Sequence, residues 1–386
     1  MPDMNDSFEK FLRNLGVPPD VATYIAQCRT VIQDHLRTGL TTFSESEAGG
    51  KVRIVPRFFV QGSWAYKTVN MLEHPPQQVD FDLGTYLPVS YLDGKRPSIA
   101  AQEFFKKVDF LLGQLADKNK WQLDRTKKTC TRVILTPQIH FDVPLYSIPD
   151  EDFQGLAIAA QMKGFVKEAA RFDDAMMESH LDLWEELPSD RVMLALRGGD
   201  WKELDPRKLH RWFLAEVAQK GEQLRALCRY LKAWRDHWSN GGPASIFLMV
   251  LCAKLFKPVA GRDDLALLEV LRLIPNALLA PVLNPVDQSE NLTDGQKPEE
   301  LVRLNQEAQR FSQDLAAAIA AADKSGLAHQ TLVSHLGSRF PVPAPPQVQT
   351  KPRDVSKTMT PEQKAELVRK EAQSQPLTRP WCDKRD

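Results

Sequence analysis

The spacing of apolar residues changes once along this chain of 386 residues. Between residues 52 and 149 the apolar residues occur mostly in short runs rich in β-branched and aromatic side chains, as in strands. From about residue 160 onward the spacing is almost entirely helical. A mixed region followed by a helical region predicts an α+β protein in which a mixed sheet with helices is followed by a helical lobe.

The same patterns predict individual elements and three domains. We expect a loop at 39–50 and another at 282–300, each rich in polar and turn-forming residues. Helices are predicted at 8–16, 19–38, 98–119, 218–238, 244–257, 264–282, 298–324, 326–336 and 361–373, and a further helix opens near 62. Strands are predicted at 52–60, 78–89, 121–126, 130–137 and 139–148. The predicted domains are a core with N-terminal helices at 1–155, a helical lobe at 156–339 and a Pro-rich tail at 340–386.

The composition narrows the class of protein. Lys plus Arg and Asp plus Glu are both 50, and this absence of a basic surplus favours a small-molecule substrate over long nucleic acid. The 5 cysteines are scattered without zinc-ligand spacing. Neither a signal-peptide core nor a membrane-length apolar run is visible. We therefore expect a cytoplasmic protein with no membrane partner.

Three aspartates indicate a metal site. Asp80 and Asp82 are two residues apart on a predicted strand, so both carboxylates point to one face of the sheet. Asp142 lies on another predicted strand and joins them if the two strands are neighbours. Carboxylate oxygens suit Mg²⁺, and two such ions can promote in-line displacement at phosphorus. The alternatives are a solvated polar face for the first pair and a turn residue for Asp142.

A second motif, Gln61-Gly62-Ser63, precedes the aspartates at a strand-to-helix junction. Glycine lets the backbone approach a ligand closely, and a helix N-terminus offers N–H groups to phosphate. A Gly-Ser pair is also common as a helix cap with no ligand. The order of strand, Gly-Ser, helix, Asp-x-Asp strand and later Asp strand favours a phosphate site beside a metal site.

These residues carry a family resemblance. The chain resembles the DNA-polymerase-β-like nucleotidyltransferases and, more closely, the CD-NTase (cGAS/DncV-like) family of bacterial anti-phage CBASS systems, nearest to the DncV-type cyclic GMP-AMP synthases. The matching stretches are QGSWAYKTVN (61–70), VDFDLGTYLPV (79–89), HFDVPLYSIP (140–149), LALRGGDWKELDP (194–206) and RYLKAWRDHWSNGGPASIFLM (229–249).

The resemblance implies a polymerase-β-like nucleotidyltransferase lobe and a C-terminal helical lobe with the active site in the cleft between them. By position it implies that two Mg²⁺ ions are held by the catalytic aspartates Asp80, Asp82 and Asp142. It further implies nucleotide contacts by Gln61, Gly62, Ser63, Tyr66, Arg132, Asp205, Lys232 and Ser245.

Several of these positions also have simpler interpretations. Lys232 lies on a basic stripe with Arg225 and Arg229, which would either neutralise phosphate charge or form a solvated helix face. Tyr66 is alternatively a core residue, and Ser245 a helix cap after Gly-Gly-Pro. Arg132 shares a strand face with Cys130 and Ile134, so that face is either the cleft or the core. Trp234 belongs to the apolar stripe of the same helix, which predicts packing.

The family implies a synthase that makes 3′,3′-cyclic GMP-AMP, or a related purine cyclic dinucleotide, from ATP and GTP. The product would be an anti-phage second messenger read by a downstream effector, alongside CBASS accessory proteins. One alternative is a template-independent RNA nucleotidyltransferase, which would share the metal site. The other is an inactive nucleotide-binding regulator.

Overall fold

The computed structural model describes residues 3–47, 53–88, 97–154, 191–238, 241–321, 326–342, 360 and 362. The chain divides into the compact units Met1–Val342 and Pro343–Asp386, and the first unit contains all of the helices and strands that follow. Its helices are α1 (Asn5–Asn14), α2 (Pro19–Glu47), α3 (Gly62–Ala65), α4 (Pro97–Asn119), α5 (Pro206–Lys220), α6 (Gln223–Asp236), α7 (Ser245–Leu255), α8 (Asp263–Ala277), α9 (Pro298–Ala320) and α10 (Gly326–Leu336). Its strands are β1 (Arg57–Gln61), β2 (Val79–Pro88), β3 (Gln122–Asp124), β4 (Cys130–Thr136), β5 (Ile139–Ile148), β6 (Met193–Ala195), β7 (Trp201–Glu203), β8 (Leu283–Asn284) and β9 (Asp287–Asn291).

A mixed sheet forms the first half of this unit, as expected for the α+β class. Its order is β1-β2-β5-β4-β3, with β6 pairing the far half of β5 and β7 pairing β6. Strands β2 and β5 run parallel, whereas the other pairs are antiparallel. The hydrophobic core of the sheet includes Phe81 and Phe141, which stack at 4.5 Å between ring centroids, and the buried faces of α2 and α4.

The predicted loop at 39–50 is wrong, because α2 continues to Glu47. Its polar residues are compatible with a helix since their hydroxyls bond to carbonyls of earlier turns: Thr41 donates to Arg37 O and Thr42 to Thr38 O. Gly39 is where α2 meets α4, and a Cβ there would lie 2.3 Å from a methyl group of Leu111. The glycine that suggested a loop therefore serves close helix packing.

A second hydrophobic core lies among helices α5 to α10. The predicted apolar stripe of α6 is confirmed, since its members are all fully or almost fully buried: Leu224, Leu227, Cys228, Leu231 and Trp234. Helix α1 also packs into this core through Phe8 and Phe11, which contact Tyr230 and Phe340. Helix α1 thus belongs to the helical core, although it precedes the sheet in the sequence.

Two details of the region beyond residue 160 differ from expectation. Strands β6 and β7 extend the sheet, and β8 and β9 form a hairpin inside the predicted loop 282–300, so this region is less uniformly helical than predicted. The predicted helix 218–238 is divided near Gly221, which has a φ of +83° that helices cannot continue through. The domain boundaries at 155/156 and 339/340 stay predictions.

The predicted helix 361–373 and the tail beyond residue 342 lie outside the described residues, except for positions 360 and 362. In the described ranges, no helix combines the length and the apolarity that crossing a bilayer would require.

Candidate active site

The register of the two parallel strands β2 and β5 creates the site. Asp80 lies opposite His140, and Asp82 lies opposite Asp142. Because side chains alternate along a strand, residues two apart on paired strands share one face. Four side chains with metal-ligating atoms thus form a two-by-two patch in the middle of the sheet.

Three members of this patch come close enough to share one cation. Among the described residues, ligand atoms of Asp80, His140 and Asp142 lie within 4.8 Å of one another. His140 Nε2 lies 2.9 Å from Asp80 Oδ1. The structure thus brings together two of the predicted aspartates and a histidine that sequence reasoning did not single out.

The third predicted aspartate, Asp82, faces the Gly-Ser turn. Gly62 has a φ of +64°, and a Cβ built on it would lie 1.9 Å from Asp82 Oδ2. This contact explains why the turn between β1 and α3 requires glycine, since any side chain would displace the carboxylate. The Gly-Ser motif is therefore packed directly against the acidic patch, as its order in the sequence suggested.

The electrostatics of the patch favour a bound cation. Burial, followed by the charges of Asp80 and Asp142, raises the pKa of Asp82 well above its usual value. The positive charges of Arg132 and Lys232 act in the opposite direction but do not offset these effects. A divalent ion would relieve the repulsion among the carboxylates.

Arg132 lies on the cleft face of its strand and is paired with a carboxylate. Its Nε and Nη2 donate to Asp142 Oδ1 and Oδ2, each at 2.7 Å. Strand β4 sets this pair, because Arg132 is opposite Asp142 in the register. Arg132 therefore orients Asp142, and in this structure it does not line the cavity expected to hold nucleotide.

A cavity of about 450 Å³ lies over the patch, between the sheet and helices α6 and α7. Its volume is typical of small-molecule sites. Predicted residues that line it are Gly62, Ser63, Tyr66, Asp80, Asp82, Lys232 and Ser245. Further lining residues that the sequence analysis missed include Thr68, Asn70, Gln78, Arg235 and Asp236.

The basic stripe of α6 holds the segment that follows the Gly-Ser turn. Arg225 Nε donates to Tyr66 O at 3.1 Å, and Lys232 Nζ donates to Thr68 O at 2.8 Å. Between them, Arg229 Nε donates to Asn70 Oδ1 at 3.0 Å, and the Asn70 amide donates back to Arg229 O. Each side chain of the stripe thus fixes one point of residues 66–70, so the interpretation as a solvated face is wrong.

Lys232 also carries charge toward the cavity. Burial, only partly opposed by the charge of Asp236, lowers its pKa to about 8. Ser245 is the first residue of α7 and not its cap; its hydroxyl accepts a hydrogen bond from Arg235 Nη1 at 3.0 Å. Both residues line the wall that faces the aspartates.

Besides Arg132, two predicted nucleotide-binding residues lie away from the cavity lining. The buried Gln61 amide donates to Tyr86 Oη and accepts from Tyr146 Oη, both at 3.1 Å. Asp205 caps α5 by accepting from Arg207 N at 3.0 Å and also forms a buried ion pair with the Arg207 side chain. Their contacts in this structure support the fold around the site.

The residues present suit a divalent metal ion. The site offers carboxylate oxygens, and the buried Asp80 Oδ1 and His140 Nε2 contact each other at 2.9 Å but have no other polar partner. Such atoms are costly to leave unpaired unless a ligand binds them. A mixed sheet that carries paired aspartates beside a Gly-Ser turn, together with a helical lobe, is typical of the nucleotidyltransferase class.

Comparison with protein families gives the same result. A family described as "Cyclic GMP-AMP synthase DncV-like, nucleotidyltransferase domain" matches residues 56–146, and "Cyclic GMP-AMP synthase, C-terminal domain" matches residues 221–344. The chain belongs to the DncV-like nucleotidyltransferase family.

Two curated relatives are cyclic GMP-AMP synthases. The protein from Vibrio cholerae serotype O1 is 36% identical over 245 residues, which cover 62% of this chain and 56% of the relative. The Escherichia coli protein is 35% identical over 246 residues, covering 62% and 57%. The matched region thus spans little more than half the length of these relatives.

Solved structures show the same fold. The crystal structure of the Vibrio cholerae DncV cyclic AMP-GMP synthase, described as a prokaryotic cGAS homolog, superposes with a TM-score of 0.71 at 22% identity and covers 88% of this chain and 97% of that one. A structure of that enzyme with the linear intermediate 5′ pppA(3′,5′)pG has a TM-score of 0.66, at 22% identity, covering 85% of this chain and 93% of that one.

Proposed function

We propose that this chain joins ATP and GTP into 3′,3′-cyclic GMP-AMP, or a related purine cyclic dinucleotide, as an anti-phage signal. The observation that carries the proposal is the strand register that places Asp82 opposite Asp142, with Asp80 and Asp82 lining one cavity and Asp82 packed against Gly62. The related cyclic GMP-AMP synthases support the choice of product. A responsive effector and CBASS accessory proteins would act downstream.

The reaction consists of two phosphoryl transfers. The 3′-hydroxyl of one nucleotide attacks the α-phosphate of the other, the bond to the leaving pyrophosphate breaks, and a linear dinucleotide forms. After the intermediate turns around, a second attack closes the ring and releases the second pyrophosphate. Two bound Mg²⁺ ions would make the attacking hydroxyl more acidic and stabilise charge on the leaving group.

The protein's own residues position these groups. Asp80, Asp82 and Asp142 would hold the ions, and Arg132 fixes the orientation of Asp142 through two hydrogen bonds. Lys232 places positive charge on the opposite wall of the cavity, where a triphosphate chain would lie. In this arrangement most of the acceleration comes from positioning and electrostatic stabilisation.

The test is a product assay on the full chain. Purified protein is incubated with the four labelled nucleoside triphosphates and Mg²⁺, treated with phosphatase and analysed by chromatography and mass spectrometry. We expect a phosphatase-resistant cyclic purine dinucleotide. Product that requires added RNA would instead support an RNA nucleotidyltransferase, and nucleotide binding without pyrophosphate release would support an inactive regulator.

A matched pair of variants links the product to the site. Asp82→Asn keeps the size of the side chain but removes its charge, and we expect at least about a 100-fold loss of product formation. Asp117→Asn makes the same change at an exposed position on α4 and should retain wild-type activity. Full activity of a folded Asp82→Asn protein would contradict the proposal.

A further inference from the structure

His140 is the member of the acidic patch whose role the proposed reaction leaves open. It lies on β5 two residues before Asp142 and opposite Asp80 in the strand register. Only 5% of the residue is exposed. Its Nε2 points toward the aspartates, 2.9 Å from Asp80 Oδ1, and neither of these buried atoms has a polar partner outside this contact.

The neighbouring amide defines which nitrogen of His140 carries hydrogen. Gln78 Nε2 donates to Pro137 O at 3.1 Å, which fixes the amide orientation. Gln78 Oε1 therefore faces His140 Nδ1, at 2.9 Å. Because that oxygen can only accept, Nδ1 donates to it, and Nε2 is the nitrogen that faces Asp80.

The orientation of Nε2 makes it available to a cation in the acidic patch. Nε2 and a carboxylate oxygen 2.9 Å away can be bridged by a proton, which gives an ion pair, or by a metal ion that replaces this proton. Asp142 completes the set, because one ligand atom from each of the three residues lies within 4.8 Å of the others. A histidine held by a second hydrogen bond through its other nitrogen is the usual form of a metal-ligating histidine.

We propose that His140 coordinates a divalent cation through Nε2, together with Asp80 and Asp142. The site belongs to the proposed nucleotidyltransferase centre, and the proposal adds a nitrogen ligand to its carboxylates. Imidazole nitrogen binds Mn²⁺ and later transition ions more readily than Mg²⁺, which prefers oxygen. The site therefore selects Mn²⁺ over Mg²⁺ more strongly than carboxylates alone would.

The test is pulsed electron paramagnetic resonance on the full chain with Mn²⁺ and no nucleotide. Wild-type protein should show hyperfine coupling of Mn²⁺ to a histidine nitrogen, and labelling histidine with ¹⁵N should change it. His140→Gln offers an oxygen in place of Nε2 and should still bind Mn²⁺ without this coupling. His35→Gln makes the same substitution on α2, outside the patch, and should retain the coupling.

Metal affinity gives a second readout. Calorimetric titration of His140→Ala should show Mn²⁺ affinity reduced roughly 10- to 100-fold, with a smaller reduction for Mg²⁺. Absence of nitrogen coupling in the wild type, or equal losses for both ions, would overturn the proposal and leave His140 as a residue that only positions Asp80. If His140→Ala does not fold, the ¹⁵N experiment on wild-type protein still decides.

The two proposals fail separately. Nitrogen coupling in a protein that makes no cyclic dinucleotide would retain the His140 ligand and refute the synthase function. Cyclic dinucleotide formation without nitrogen coupling would do the reverse.

Discussion

Replacing Gly62 with alanine affects two properties of the protein to very different extents. The first is backbone strain, because an L-residue at a φ of +64° adopts a left-handed conformation that costs about 1–2 kcal/mol. That cost corresponds to a decrease in melting temperature of roughly 1–3 °C for a compact unit of this size. Strain of this size leaves the protein folded.

The second property is the position of Asp82. The new Cβ would lie 1.9 Å from Asp82 Oδ2, whereas real Cβ contacts essentially never fall below 3.0 Å. The carboxylate must therefore move by about an ångström, and a misplacement of that size costs on the order of 100-fold in rate. We expect Gly62→Ala to reduce the initial rate of cyclic dinucleotide formation about 100-fold.

Gly261→Ala separates the two effects. Gly261 has a φ of +65°, but no atom lies within 4 Å of a Cβ built on it. Both variants should lose similar stability in thermal unfolding monitored by circular dichroism, and only Gly62→Ala should lose activity in the product assay. Equal activities of the two folded variants would refute the idea that the glycine preserves the position of Asp82.

Three further predictions concern charges around the cavity. Since the pKa of Lys232 is lowered from 10.5 to about 8 in the folded protein, the unfolded chain holds more protons between these values. Urea unfolding at several pH values should therefore show wild-type stability rising relative to Lys232→Met as pH increases through that window; a constant difference would contradict the burial of this charge. Arg229→Leu leaves Asn70 Oδ1 without its partner, and we expect a loss of about 1–3 kcal/mol in unfolding free energy and a higher KM for nucleotide in steady-state assays. An unchanged KM would show that nucleotide binding does not depend on the hydrogen bond that holds residues 66–70 to α6. Added Mg²⁺ should raise the melting temperature of the wild type but not that of Asp142→Asn, and an equal rise in both would place the ion elsewhere.

The sequence predicted the fold class and the strands of the site because both depend on local patterns. The alternation around Asp80 and Asp82 and the apolar stripe of α6 are readable from spacing alone. The extent of α2 was not predictable from the sequence. Gly39 and its polar neighbours favour a loop, and the helix is stabilised there by packing against α4. Tertiary packing therefore overrode local propensity at that helix.

The role of His140 depended on information that one sequence does not contain. Spacing of two places it on the face of Asp142, and this was the available signal. Its value as a ligand, however, depends on the register that sets it opposite Asp80 and on the contact with Gln78, both of which are long-range. The hydrogen-bond partners of the basic stripe could not be predicted for the same reason, because nothing in the sequence of α6 indicates that it contacts residues 66–70.

The hydrogen bonds from α6 to residues 66–70 limit how parts of two homologous proteins can be joined in a chimera. The segment leaves the sheet at Gly62, yet three side chains of the helical lobe fix it, at Tyr66, Thr68 and Asn70. A chimera that joins the sheet of one homologue to the helices of another would separate matched partners unless this segment travels with α6. Residues 66–70 and α6 must therefore come from the same homologue, although the segment follows the sheet in sequence and the helix belongs to the helical lobe.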